Sequence, residues 1–420
     1  MGPEAPTDRR NLVYIVLLIH GIGTLLPWNM FITANDYFLD KLTPVNGTNG
    51  TSDNGDLQVY RDNFLSFVGL ASKLPNTAVQ LGNMMIAAKA ASFRWRTHTS
   101  IVLQAITFAI TTALAAVDSS SWISSFYGVT MACIVIINVW NGVYQSCVYG
   151  QAAKLPSKYM NVVVTGMNIS GVVTSLFMIL SIACTPDLRT TAIVYFTTAV
   201  AFLILCSVTY AYLTRNPFFA HFMEKQTVAE EDGKTAAESS SKKRPPFLVI
   251  LRQIWQPLFC IFYANFISLT LFPAVLANVQ STTALAGKFF SVLWCFLSFN
   301  LCAMAGNITV DLLPRRTAFA RRWLWLMALA RTLFLPFFLF CNFKPTTRAV
   351  GVAFSNDAFF IIGVAVFAFS HGYVSSLGMI TAPASVHPHH ASVAGMMASF
   401  TIMVGIASGI GASFLAANIV

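Results

Sequence analysis

Ten polar residues sit deep inside runs that are otherwise apolar: Trp28, Asn29, Lys73, Asn76, Asn141, Gln145, Asn168, Asn300, Asn307 and His371. Their chemistry is that of recognition. Side-chain amides both donate and accept hydrogen bonds, an ammonium offers a cation, and indole offers a flat apolar face with one donor. Asn141 and Gln145 are four residues apart, and Asn300 and Asn307 seven apart, so on helices each pair shares one face. Bond-making chemistry has no such support. There is no glycine-rich phosphate loop, no Cys-x-x-Cys pair and no nucleophile set beside a base, so the chain reads as a non-enzyme without a cofactor. His387, His389 and His390 in VHPHH offer nitrogens, but with no cysteine or carboxylate nearby they read as a solvated turn rather than a metal site.

Amides turned toward a common interior, interleaved with aromatic rings, suit a neutral polar solute such as a nucleoside or nucleobase. Lys73 is the sharpest feature. It lies ten residues into an apolar run, too deep for its stem to reach the interface, so it faces either a cavity or a structural partner. Arg331 is similarly deep. By depth its nearest acid is Asp311, and a structural Arg331–Asp311 pair is the expectation, with a substrate contact as the alternative. His371 could titrate near neutral pH as a proton site or serve as a hydrogen-bonded core histidine. No Asp or Glu occupies the middle of any apolar run, which points away from ion-coupled transport and toward downhill movement.

The elements that must position these residues follow from composition. With 56% hydrophobic and 10% charged residues over 420 positions, the chain cannot be a water-soluble globule, whose charged share is about 25%. Eleven spans emerge. Six are 12–34, 64–91, 100–117, 122–150, 160–184 and 192–213, and five more are 247–278, 289–313, 323–342, 358–382 and 391–419. This gives an all-α polytopic membrane protein with a six-helix bundle over 1–213, a disordered cytosolic linker over 214–246 and a five-helix bundle over 247–420. No internal repeat is legible between the halves. The eight cysteines lack paired spacing and read as free thiols packed among helices.

Charge sets the orientation. With the N-terminus cytoplasmic, sixteen Lys and Arg residues fall on the inner side and six on the outer. The predicted outer first loop also carries NGTNGT, with glycosylation sequons at Asn46 and Asn49, whereas the patterns at Asn168 and Asn307 lie inside spans. The net charge of +10 is therefore a matter of topology rather than of nucleic acid binding. The short N-terminal tail shows no acidic dileucine signal, favouring the plasma membrane, with the C-terminus extracellular.

Several motifs together resemble the equilibrative nucleoside transporters. They are GTLLPWNMFITA (23–34), KLP (73–75), Gln145, TGMNISG (165–171), LFPAV (271–275), Phe299–Asn300, ARTLFLPFFLFCN (330–342), FSHGYVSSL (369–377) and AGMM (394–397). The resemblance implies a fold similar to major facilitator carriers with one helix fewer, in a 6+5 bundle, and alternating access around a central site. It implies that Trp28, Ile32, Lys73, Asn76, Gln145, Phe272, Phe296, Asn300, Ala303, Asn307 and Ile406 line or abut that site. In this pattern Gln145 reads the base, and Asn300 to Asn307 form the ribose side. Asn141 and His371 join the set as polar replacements of residues usual in the family.

The chain departs from the pattern in the eighth span. The family's Phe-Asn-x-x-Asp-x-x-Gly-Arg reads FNLCAMAGN here, so Ala303 and Asn307 replace an Asp and an Arg. Losing both charges together leaves neither unpaired. Three readings follow: a facilitative carrier of nucleosides or nucleobases with a remodelled pocket, a carrier of the same fold for another solute, favoured toward anions by Lys73, or a receptor or scaffold that no longer transports. The expected partners are a small nucleoside or nucleobase and the bilayer, with no nucleic acid polymer, and the expected state is a monomer.

Overall fold

A backbone in hydrocarbon must satisfy every N–H and C=O within itself, and the apolar runs do so by forming helices. The computed structural model describes residues 6–42, 64–86, 90–119, 121–184, 187–223, 247–283, 287–343 and 351–416. The first six long helices are α1 (Leu12–Thr33), α2 (Phe64–Ile86), α3 (Ala90–Ala116), α4 (Ile123–Ala152), α5 (Ser157–Cys184) and α6 (Leu188–Leu213). Five follow: α7 (Phe247–Leu271), α8 (Ser298–Leu312), α9 (Pro314–Ala330), α10 (Asp357–Ala384) and α11 (Ala391–Ala416). The sequons at Asn46 and Asn49 and positions 224–246 lie outside the described residues, whereas the first part of the expected disordered linker is ordered. Residues 217–223 are helical, and Phe218 and Phe219 are buried, Phe218 with its ring centroid 5.4 Å from that of Tyr159, because two adjacent phenylalanines gain more from packing on the bundle than from solvation.

Among the described residues ten helical stretches are long and apolar enough to cross a membrane, and α2 is the long helix that is not among them. The reason lies in its own residues. Lys73, Asn76, Gln80 and Asn83 recur every three or four positions, forming one buried polar stripe, while Leu70, Leu74, Leu81 and Met85 are exposed on the opposite side. The helix is amphipathic in the inverted sense, with lipid on its apolar face and protein on its polar one.

The helices depart locally from the expected spans in four places. α3 begins ten residues earlier than position 100, and there Arg96 donates from Nη1 to the Asn83 carbonyl at 3.2 Å and to Asn83 Oδ1 at 2.8 Å. That contact gives the added turns something to hold. α7 stops at Leu271 because Phe272 precedes Pro273 and is biased away from helical geometry. α8 is entered through a π-helical turn, Ser291–Leu297, and α9 runs on through a 3-10 turn, Arg331–Leu333, into a short helix, Phe334–Leu339.

The packing reveals an internal repeat that the sequence hides. In the first half α1 packs on α5, α2 on α4 and α3 on α4; in the second α7 packs on α11, α8 on α10 and α9 on α10. Advancing each helix number by six converts one set into the other. The seam between the halves obeys the same rule, with α2 and α4 against α11 and α5 against α8 and α10. Helix α6, wedged on α1 and α3, has no such counterpart among the described residues, and there α7 and α9 touch directly.

Glycines set the closest approaches, which lie at equivalent pairings. A Cβ on Gly21 or Gly166 would strike the facing backbone of α5 or α1, and one on Gly405 or Gly409 would lie 2.7 or 2.6 Å from α7 carbonyl oxygens. In the α2–α4 pair a Cβ on Gly142 would lie 2.8 Å from the Asn76 carbonyl. Gly142→Ala is therefore expected to lower stability by about 1–2 kcal/mol, in the range for overpacking, read as a lower thermal midpoint of the purified protein. An unchanged midpoint would show that α2 can shift freely.

Candidate functional site

At the α1–α2 contact the two most unusual residues of the sequence meet. Lys73 Nζ sits 4.1 Å from the centroid of the Trp28 ring, with the lysine 6% exposed. No described carboxylate lies against it. A desolvated cation–π contact is worth about 2 kcal/mol, whereas the effective cost of burying an ion in a protein is several kcal/mol. The ammonium is thus incompletely compensated, and an acceptor brought in by a ligand would recover the difference.

Below Lys73 the stripe of α2 engages α4 and α11. Gln80 Nε2 donates to Asn76 Oδ1 at 2.8 Å and to Gln145 Oε1 at 3.1 Å, and the Ser399 hydroxyl donates to Gln80 Oε1 at 2.9 Å. Gln80 therefore ties both halves together. One turn further, Asn83 Nδ2 donates to Cys147 Sγ at 3.6 Å. Among the buried atoms left without partners here are Gln145 Nε2 and Asn141 Oδ1. They form a donor and an acceptor four residues apart on one face of α4. Each unsatisfied buried group costs about 1–3 kcal/mol, so the site withholds free energy that a ligand with a matching acceptor and donor would release.

Across the seam the second half contributes rings. Phe272 stacks on Phe299 with centroids 4.4 Å apart at 15°, meets Phe296 edge-on at 5.3 Å, and Phe299 in turn lies 5.7 Å from His371. Phe272 and Phe296 stay partly accessible. Asn300 Nδ2 donates to the Phe296 carbonyl at 2.9 Å, where the π-helical turn hands over to α8 and an extra acceptor is available. Its amide also lies against Gly171 of α5, where any side chain would collide. Ile32 is half-buried and Ile406 buried.

Other expected site residues are engaged elsewhere. Asn307 is fully buried between α5, α8 and α10, its amide nitrogen 2.7 Å from the Gly372 carbonyl and 2.9 Å from Ser376 Oγ, and its oxygen 2.5 Å from Asn168 Nδ2. That orientation is dictated by neighbouring carbonyls, which can only accept. Asn29 donates to Ser170 Oγ at 3.1 Å, joining α1 to α5. His371 Nδ1 is 2.8 Å from Ser268 Oγ. In the VHPHH turn His387 accepts from the His389 backbone N–H at 3.4 Å.

Arg331 does not pair with Asp311. Its guanidinium, 1% exposed, donates to the Phe367 carbonyl at 2.8 Å, to Ser268 Oγ at 2.6 Å and to Ser370 Oγ, and lies 4.5 Å from the Phe367 ring. Asp311 instead accepts from Asn161 Nδ2 at 2.7 Å, while that amide also donates to the Asn307 carbonyl at 2.9 Å. Depth matched Arg331 to Asp311, but the break after Ala330 turns the arginine toward α7 and α10. Reading the sequence residue by residue also passed over Gln80, Asn83, Ser268 and Ser399. The spacing 73, 76, 80, 83 carried a legible signal for the first two; nothing local marks the serines.

Comparison with known proteins gives the family. A family model described as nucleoside transporter matches residues 131–417. Mouse equilibrative nucleoside transporter 2 is 32% identical over 98% of both chains, and the human protein of that name is 31% identical over the same shares. Human equilibrative nucleoside transporter 1 is 29% identical, again over 98% of each chain. In architecture the chain is similar to the human organic anion transporter MFSD10, with a TM-score of 0.54 over 98% of this chain and 94% of that one, at 14% identity, which speaks for the fold alone. With most of its length matched by the family model, with full-length relatives above 30% identity and with two pseudo-symmetric helical halves meeting at a polar seam, this chain belongs to the nucleoside transporter family.

Proposed function

We propose that the chain carries nucleosides across a membrane down their concentration gradient, by alternating exposure of the seam between its two halves. The observation that carries this reading is the set of uncompensated groups there: Lys73 Nζ, Asn141 Oδ1 and Gln145 Nε2. An acceptor–donor edge of a nucleobase matches the α4 pair, an electron-rich oxygen matches Lys73, and Phe272 and Phe296 offer stacking faces. Two polar links cross the seam toward the ends where α5 and α11 begin, Gln80 with Ser399 and Asn161 with Asp311, while Asn168 with Asn307 crosses it nearer mid-span. Opening that face would break the first two, a cost of a few kcal/mol that substrate and seam contacts on the other face must offset.

The test is uptake of labelled adenosine, uridine and hypoxanthine in cells lacking their own nucleoside carriers, with and without a pH gradient. Saturable nucleoside uptake indifferent to the gradient is expected, because no carboxylate lies in the middle of a span to load a proton. Hypoxanthine uptake decides whether nucleobases are also cargo. A second reading, a carrier of another small solute and favoured toward anions, is supported by Lys73, which has the Trp28 face and no described carboxylate against it. It gains if all three probes fail with the protein at the surface.

The same proposal makes the protein a monomer in the plasma membrane, N-terminus cytoplasmic and C-terminus extracellular, with glycans at Asn46 and Asn49 and a cytosolic linker over 224–246 between the halves. Asn46→Gln with Asn49→Gln is expected to abolish the gel shift seen on deglycosylation. A shift that persists would place the first loop inside or the glycan elsewhere.

A further inference from the structure

A cavity of about 390 Å³ opens between α3 and α6, near the start of one and the end of the other, lined chiefly by Arg94, Trp95, His98, Tyr210, Thr214 and Arg215. That volume falls within the roughly 300–1,000 Å³ typical of small-molecule pockets. No carboxylate lines it among the described residues. Asp8, the one described carboxylate of the first half at this end of the helices, is occupied by the backbone N–H groups of Val13 and Tyr14 and by the Tyr159 hydroxyl. Two guanidiniums therefore face an opening with no described acid of their own half to neutralise them.

The floor is rigid and the rim is oily. Tyr210 is buried, its hydroxyl accepting from Gln151 Nε2 at 3.0 Å, and the same amide donates to Thr97 Oγ1 at 3.3 Å. His98 is held by Ser207 at 3.4 Å. Outside, Trp95 is 73% exposed and Val208 63%, with Leu205 and Tyr212 exposed beside them on α6. A tryptophan at the end of a span marks the headgroup level, and the exposed face of α6 is one that lipid chains cover.

We propose that this cavity binds the phosphate of an anionic lipid headgroup, with Arg94 and Arg215 clasping the oxygens and the acyl chains lying along α6 past Trp95 and Val208. Planar guanidiniums match phosphate bidentately, and basic clusters at the cytoplasmic membrane surface favour anionic lipids. The site is separate from the seam and makes no demand on the transported solute. A bound headgroup would clamp α3 to α6.

The experiment measures the thermal midpoint of the purified full chain with added dioctanoyl phosphatidic acid, dioctanoyl phosphatidylcholine or inorganic phosphate. The wild type should be stabilised in a saturable manner by phosphatidic acid and by neither of the others. Arg94→Gln with Arg215→Gln should weaken that response at least about tenfold, with its midpoint in phosphatidylcholine unchanged, and Trp95→Ala should weaken it less. Equal stabilisation by inorganic phosphate would assign the cavity to a soluble phosphate and overturn the lipid assignment. An unaltered response in the double variant, or none in the wild type, would overturn the site altogether.

Discussion

Lys73→Met is expected to make the protein more stable and a poorer carrier at once. Without ligand, the ammonium has the Trp28 face at 4.1 Å and no described carboxylate, so about 2 kcal/mol of attraction stands against a burial cost of several. A methionine of similar length keeps the packing and removes the charge. Relief of about 1–3 kcal/mol should raise the thermal midpoint by a few degrees. Uptake should move the other way, because a charge-assisted hydrogen bond to substrate is worth about 1.5–3 kcal/mol, or roughly 10–100-fold in kcat/KM. The opposed signs are the diagnostic: a raised midpoint with unchanged uptake would deny Lys73 a substrate contact, and a fall in both would make it a structural cation.

Arg331→Met is expected to lower stability by about 2–4 kcal/mol. The guanidinium makes three hydrogen bonds, to the Phe367 carbonyl, Ser268 and Ser370, each worth about 1.5–3 kcal/mol when one partner is charged. Relief of the buried charge offsets part of this but not all, since methionine also leaves two hydroxyls and a carbonyl short of a donor. The arginine stands at the break in α9 and joins it to α7 and α10, where α6 has no counterpart. Loss should therefore show as a lower midpoint and reduced surface expression. Asp311→Asn supplies the contrast. It keeps an acceptor for Asn161 and should cost under about 1 kcal/mol; a loss equal to that of Arg331→Met would restore the ion pair that the structure denies.

Much of the candidate site was legible because hydrocarbon punishes polar groups selectively. A buried lysine, or amides four residues apart, cannot be accidental there, so Lys73, Asn141 and Gln145 could be singled out by type and spacing alone. Asn307 and Asn300 were equally conspicuous, but a polar residue in a span announces only that it has a partner. For Asn307 the partners include Asn168, Gly372 and Ser376; for His371 they are Ser268 and the Ala264 backbone. Serines bond locally in many helices, so neither Ser268 nor Ser399 stood out.

By itself the sequence determined the class and the run of long helices, since span length and composition follow from bilayer thickness and the cost of an unsatisfied backbone. Only the tertiary structure decided which polar groups meet. The six-helix shift that pairs α1–α5 with α7–α11, the closure of α2 and α4 on α11, the turn of Arg331 away from Asp311 and the unpartnered atoms of Asn141 and Gln145 all depend on rotations about helix axes. Depth along a span is additive in residues and can be counted; facing direction is settled by packing against helices far away in the chain, and there the sequence carries no local signal.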